Sequence, residues 1–292
     1  VADSSSAHAR SARYYLGLAE YHLQDYEQAA ADIASALQSV TPTGAQHYQL
    51  GLAQYQLGKY GEAYAAFDAA LQAGHDTAYA YYYRGLAAYQ LQRYAQAITD
   101  LSQALRRDAT LTAAYRQRGL AEYHLAQFDR ALADFDAAVR ADSGDATAYL
   151  YRGLISRDAG HTAAALAGFS RALALRPNDS AALYAHARLL YQTGDFVRAQ
   201  ADLNQLIQID PQHAGAHYFL GVMQHKDGAF DQALEHLSRS VAIDPARAWG
   251  FYYRGLTYRK IDQPDKAKAD FERVVQLAPG TRLSDLAQRA LR

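Results

Sequence analysis

The chain has 292 residues, with 29 basic and 30 acidic side chains and a net charge of −1. That balance argues against non-specific binding to nucleic acid or to an anionic membrane surface, both of which need a basic excess. The absence of cysteine excludes disulfides, thiolate metal centres and a cysteine nucleophile, and it suits an oxidising envelope compartment.

Hydrophobic residues make up 50% of the chain, enough to build a core. No uninterrupted apolar run reaches the roughly 18 residues that a membrane-crossing helix needs. No signal peptide is evident and the chain begins at Val1, so it reads as a processed mature protein or an excised fragment. Tyrosine is over-used, with 24 Tyr against 9 Phe and 1 Trp.

From the N-terminus, an extension (1–9) leads into a 34-residue period that runs without insertion or deletion. Its eight copies are 10–43, 44–77, 78–111, 112–145, 146–179, 180–213, 214–247 and 248–281. One column reads Gly17, Gly51, Gly85, Gly119, Gly153, Ala187, Gly221 and Gly255. Twelve residues on, every copy has alanine: Ala29, Ala63, Ala97, Ala131, Ala165, Ala199, Ala233 and Ala267. A third column holds Ile33, Phe67, Leu101, Phe135, Phe169, Leu203, Leu237 and Phe271.

Each copy carries two helical patterns, expected in the third copy over Ala78–Gln92 and Tyr94–Arg107. Gly58, Gly160, Gly194 and Gly228 break the pattern within copies. Pro177, Pro211, Pro245 and Pro279 break it between them. Glycine inside a helix costs about 1 kcal/mol relative to alanine. The expectation is that it allows close helix approach, with the alanine column facing it. One helix pair cannot bury its own apolar face, so the pairs must stack into a continuous core. The segment Arg282–Arg292 reads as a further amphipathic helix that caps the array with a polar face. The fifth copy is the weakest and a candidate hinge, with Thr162 where its neighbours have Phe128 and Phe196, and Gly168 inside its second helix.

These columns resemble the tetratricopeptide repeat family over residues 10–281. In the third copy the resemblance is carried by Tyr81 in the slot where the family has tryptophan, with Gly85, Ala97, Leu101 and Ala104. In the last copy it is carried by Phe251, Gly255, Ala267, Phe271 and Pro279. The resemblance implies an all-α, right-handed superhelical solenoid, without catalytic activity or cofactor, that binds a protein or peptide in its concave groove. The sequence departs from the family where leucine usually precedes the glycine: Arg84, Arg118, Arg152 and Arg254 stand there. Sixteen residues after three of these come Asp100, Asp134 and Asp270, which suggests structural ion pairs Arg84–Asp100, Arg118–Asp134 and Arg254–Asp270. Arg152 faces Gly168 instead, while Asp32 and Asp202 follow Leu16 and His186, so the correlation is imperfect.

Consecutive helical residues point about 100° apart. Tyr81 is expected to pack between helices, Tyr82 to join a stripe with Leu86 and Tyr89, and Tyr83 to be peripheral. By the resemblance the stripe lines the groove. Its members are Tyr14 and Tyr21, Tyr48 and Tyr55, Tyr82 and Tyr89, then Arg116 and Tyr123, then Arg157, Tyr184, Arg188, Tyr191, Tyr218, His225, Tyr252 and Arg259. Tyrosine offers a rigid apolar face with a polar tip, suited to a peptide or partner helix. Tyr48, Tyr55, Tyr82, Tyr89 and Tyr123 are the expected anchors, and Arg116, Arg157 and Arg188 would orient a polar part of the ligand. Packing of neighbouring first helices is the competing use of the same rings. Envelope assembly or polysaccharide export, with the rings stacking on sugars, is an alternative reading, and a nucleic-acid-binding helical repeat is a second. His213 and His217 have a metal-compatible spacing, but no acidic residue completes a ligand set. No phosphate loop or nucleophile motif is present.

Overall fold

The computed structural model describes residues 2–38 and 41–292, with side chains from residue 7 onward. The fold is an all-α helical repeat solenoid, with no strand among the described residues. Its helices are α1 (Ala2–His22), α2 (Tyr26–Leu37), α3 (Gly44–Gln56), α4 (Tyr60–Gln72), α5 (Ala78–Gln90) and α6 (Tyr94–Arg107). Next come α7 (Thr112–His124), α8 (Phe128–Ala141), α9 (Ala146–Asp158), α10 (Thr162–Leu175), α11 (Ser180–Thr193) and α12 (Phe196–Ile209). The last are α13 (Ala214–Lys226), α14 (Phe230–Ile243), α15 (Ala248–Lys260), α16 (Pro264–Leu277) and α17 (Arg282–Leu291). No described helix is long and apolar enough to cross a membrane.

The chain divides into two compact units, 1–151 and 152–292, with the boundary inside α9. In the first unit α1 packs on α2, α3 on α4, α5 on α6 and α7 on α8. The second helices α2, α4 and α6 also pack on the next first helix, and α5 touches both α3 and α7. The second unit repeats this order from α10 to α16, with α17 packed on α15 and α16.

The turn inside each hairpin explains the fixed period. Gln24, Gly58, Gln92, Ala126, Gly160, Gly194, Gly228 and Asp262 all have positive φ, between 56° and 88°, at steps of 34 residues. The next residue in each copy donates its backbone N–H to a carbonyl five residues back at 2.8–3.0 Å, as from Arg93 to Ala88 and from Asp195 to Leu190. This is the Schellman closure of a helix end. Four copies adopt the left-handed conformation without glycine, so the turn is imposed by hairpin packing as well as by local preference. Between hairpins, Asp108, Asp142, Asp210 and Asp244 each accept a backbone N–H from two residues on at 2.8–3.2 Å, forming Asx turns.

The glycine column makes close contact, but the partner differs from expectation. A methyl at Gly51 would stand 2.7 Å from Phe67, and one at Gly153 would stand 2.6 Å from Phe169. The Ile/Phe/Leu column therefore faces the glycine directly. The alanines contribute backbone carbonyls, such as Ala29 and Ala165. These alanines are almost wholly inaccessible, as are Phe67, Phe135, Phe169 and Phe271. α5 ends at Gln90 rather than Gln92, because Gln92 is the left-handed turn residue.

Candidate functional site

Arg84 and Asp100 meet in a two-pronged contact, Nε to Oδ2 at 2.9 Å and Nη2 to Oδ1 at 2.5 Å. Arg118 and Asp134 do the same at 2.7 Å for both bonds, and Arg254 and Asp270 at 2.8 and 2.7 Å. All three carboxylates are buried. Their slot also reaches the preceding hairpin: Arg84 Nη1 donates to Asp68 at 2.5 Å and Arg118 Nη1 to Ser102 at 3.0 Å. Two of the copies that broke the sequence correlation have substitutes. His186 lies 2.7 Å from Asp202, and Arg13 approaches Asp32 at 3.8 Å in place of Leu16.

The stripe residues divide by position. Tyr21, Tyr55, Tyr89, Tyr123, Tyr191 and His225 stand next to the turn, and each meets the first ring of the following helix. The pairs are Tyr21–Tyr26, Tyr55–Tyr60, Tyr89–Tyr94, Tyr123–Phe128, Tyr191–Phe196 and His225–Phe230, with centroids 5.3–5.8 Å apart and rings inclined by 58–66°. This edge-on geometry suits aromatic quadrupoles, so the rings clasp the turn. The clasp tips also tie hairpins together: Tyr89 Oη lies 3.0 Å from His124 Nε2, and Lys226 Nζ donates to Tyr191 Oη at 2.6 Å. His225 Nδ1 lies 2.9 Å from Thr257 Oγ1, and burial lowers its affinity for a proton. His124 lies flat on Tyr94, with centroids 4.6 Å apart.

The other ring column, Tyr14, Tyr48, Tyr82, Tyr184, Tyr218 and Tyr252, is half-buried. Tyr48 touches Phe67, His75 and Tyr83, and Tyr252 touches Phe271. Burial pushes the Tyr82 hydroxyl up to about 12, despite the opposing charge of Arg116. It also pushes Tyr89 up to about 12, and raises Tyr14, Tyr48, Tyr55 and Tyr218. Among the described residues, no hydrogen bond links the hydroxyl of Tyr48 or Tyr82 to the rest of the chain.

Tyr83 is not peripheral. It lies 5.9 Å from the Phe67 ring, inclined by 24°, and edge-on to Tyr48 and Tyr55. The reason is helical phase. One residue past Tyr82, the side chain turns toward the second helix of the preceding hairpin, and Tyr151 repeats the contact on Phe135 at 5.5 Å. Tyr81 lies under the Arg107 guanidinium, 4.1 Å from its centroid.

The arginines of the stripe are partly committed within the chain. Arg116 Nη1 donates to the buried Asp145 at 3.0 Å, and Asp145 also caps α9 through the Ala148 N–H. Arg157 pairs with Asp158 at 2.7 Å. Arg188 lies over the Tyr184 ring at 5.6 Å, and Arg259 is exposed beside the Ala290 carbonyl. His213 caps α13 through Ala216, whereas His217 turns to His236. No group of three or more metal-ligating side chains forms among the described residues.

Hairpins of this length, turn and glycine contact define a tandem helical-repeat protein. The tetratricopeptide repeat family model matches residues 1–43, 48–111 and 116–180, and a second tetratricopeptide repeat model matches 250–281. The chain belongs to the tetratricopeptide repeat family, whose fold is in general that of a protein-interaction scaffold. The model for anaphase-promoting complex, cyclosome, subunit 3 also matches residues 158–240. No curated protein matches the chain.

Solved structures share the fold. The C-terminal part of a repeat protein from Cytophaga hutchinsonii is 17% identical with a TM-score of 0.63, over 82% of this chain and 98% of that one. A tetratricopeptide repeat protein from Parabacteroides merdae is 17% identical with a TM-score of 0.59, over 97% and 98%. YrrB, described as a tetratricopeptide repeat protein with an unusual peptide-binding site, is 22% identical with a TM-score of 0.57, over 65% and 97%.

Proposed function

We propose that the first unit binds an extended segment of a partner protein along the tyrosines of α1, α3 and α5, without catalysis. The observation that carries this reading is the state of Tyr48 and Tyr82: their rings are fixed by packing while, among the described residues, no hydrogen bond ties their hydroxyls to the rest of the chain. A pre-ordered ring loses little conformational freedom on binding, and its free hydroxyl can pair with a peptide backbone. Family membership and the peptide-binding site described for YrrB support a protein ligand. With Arg116 paired to Asp145, the ligand needs no acidic anchor at that point.

The test is capture of partners from a source-cell extract, followed by titration of the captured segment. Tyr48→Phe and Tyr82→Phe keep the packing and remove only the hydroxyls. About tenfold weaker binding in the double variant, with little salt dependence, is the expected result. Unchanged affinity would overturn the reading. Steep loss with salt would point to nucleic acid instead, and competition by oligosaccharide to a glycan.

A further inference from the structure

Four of the chain's 11 histidines, His213, His217, His225 and His236, lie between positions 213 and 236. Repeats three, four and eight hold an aromatic, an arginine and an aspartate in three linked slots: Tyr81, Arg84 and Asp100; Tyr115, Arg118 and Asp134; Phe251, Arg254 and Asp270. The seventh has His217, Leu220 and His236 there. A permanent ion pair is thus replaced by two groups that titrate near neutral pH.

The hydrogen bonds fix where each neutral imidazole carries its proton. His213 Nδ1 accepts the Ala216 backbone N–H at 3.1 Å, so its proton is on Nε2. An imidazolium has no lone pair. Protonating His213 therefore breaks this cap and sets a positive charge at the positive end of α13. His217 Nε2 lies 3.2 Å from the Pro211 carbonyl oxygen, and its Nδ1 lies 2.9 Å from Nδ1 of His236. A carbonyl only accepts, so His217 carries its proton on Nε2 and accepts the N–H of His236. This pair can take one proton, on Nε2 of His236, and keep its bond; a second sets two N–H groups against each other. Thr257 Oγ1 donates to the Tyr253 carbonyl at 2.7 Å, so His225 Nδ1 donates to Thr257.

The surroundings offer little to offset added charge. Around His213 stand Asp210, Arg247 and His217, with the Tyr184 ring 4.5 Å away. Glu235 and Arg239, of opposite sign, line a cavity of about 530 Å³ at His217 and His236. Lys226 and Lys260 flank His225, beside the rings of Phe230 and Tyr253. Burial, more than any neighbouring charge, holds His213, His225 and His236 below the ordinary imidazole value of 6.5, with Asp210 and Glu235 opposing it at His213 and His236.

We propose that this histidine cluster is an acid-sensitive joint, at which α13 and α14 come apart on acidification while the third repeat, which has no histidine, stays closed. Once open, all four imidazoles can take a proton. Closed, the cluster resists the proton on His213 and the second proton on the His217–His236 pair. The groups that shift lie below 6.5 when folded, so the stability they contribute is fully present above that pH and is lost as pH falls below it. Each proton bound only by the open form raises the opening constant by up to about tenfold per pH unit. Because α13 carries Tyr218, opening withdraws that ring from the stripe.

The test is amide exchange of the whole chain at about pH 7.5 and about pH 5.5, each rate divided by its intrinsic rate at that pH. Protection over Ala214–Ile243 should fall by about tenfold or more at the lower pH, and protection over Ala78–Arg107 should stay about the same. His213→Thr keeps a cap that does not titrate, as Thr77 provides for the Ala80 N–H. His217→Tyr, Leu220→Arg and His236→Asp together rebuild the filling of the fourth repeat. All four substitutions combined should remove most of the acid loss, and helical content near neutral pH checks the fold. In the unaltered chain, NMR titration of the imidazoles should place His213 and His236 below 6.5. Equal protection at both pH values, an undiminished loss in the combined variant, or titration of His213 above 6.5 would overturn the proposal.

Discussion

His186 Nδ1 lies 2.7 Å from Asp202 Oδ2, and His186 Nε2 lies 3.2 Å from Ser170 Oγ. The imidazole thus spans its own hairpin and the one before it, as Arg84 does between Asp100 and Asp68. In the third, fourth and sixth repeats this slot ties three helices together, and different side chains fill it.

Arg84→Leu should destabilise the protein by about 2–4 kcal/mol, because it strands the buried Asp100 carboxylate. Arg84→Leu combined with Asp100→Leu should recover most of that loss, since Leu50 and Ala66 already fill the two slots in the second repeat. Urea unfolding of the three proteins measures both effects. A double variant no better than the single one would show that the charge pair is not the cause.

The left-handed turn residue predicts effects of opposite sign. Ala126 has φ 56°, so Ala126→Gly should stabilise by about 0.5–1 kcal/mol, and Gly194→Ala at φ 88° should cost about 1 kcal/mol. Thermal unfolding of each variant reads the sign.

Glu122 predicts a pH dependence. It is buried, its Oε2 has no hydrogen-bond partner, and burial followed by the neighbouring Asp134 charge pushes its carboxyl up to about 7. The folded state therefore holds a proton that the unfolded state releases from about 4.5 upward. The stability this contributes is fully present below that pH and lost as pH rises through about 7. Glu122→Gln, the residue type of Gln54 and Gln224 at the same slot, should match the parent near pH 5 and exceed it by about 1–2 kcal/mol near pH 8. Equal stability differences at both values would remove Glu122 as the source.

The turn clasp separates ring from hydroxyl. Tyr89→Ala should cost about 2–3 kcal/mol and Tyr89→Phe about 1 kcal/mol, because only the bond to His124 is lost in the second. In the fifth repeat the clasp slots hold Arg157 and Thr162. Amide exchange should therefore be faster over Thr162–Leu175 than over Tyr94–Arg107; equal protection would count against a hinge there.

Much of the fold was legible because its information is periodic. Gly85, Ala97 and Leu101 recur at fixed intervals, and packing between stacked hairpins requires such recurrence. The site was less legible because neighbours in space share no simple spacing. Tyr83 looked outward from a single helix, since its partner Phe67 belongs to the preceding hairpin. Tyr89 and Tyr94 are five apart, a distance that brings rings together only across the turn that Gln92 makes. His217 and His236 are nineteen apart on different helices, while the His213–His217 spacing that suggests metal binding is split by the capping role of His213.

The hydroxyl of Tyr89 reaches a residue 35 positions away, and Lys226 reaches back the same distance to Tyr191. Such ties span one hairpin and no further, so each can form as soon as the next hairpin has been made. The chain can therefore begin to fold while its C-terminal part is still being synthesised.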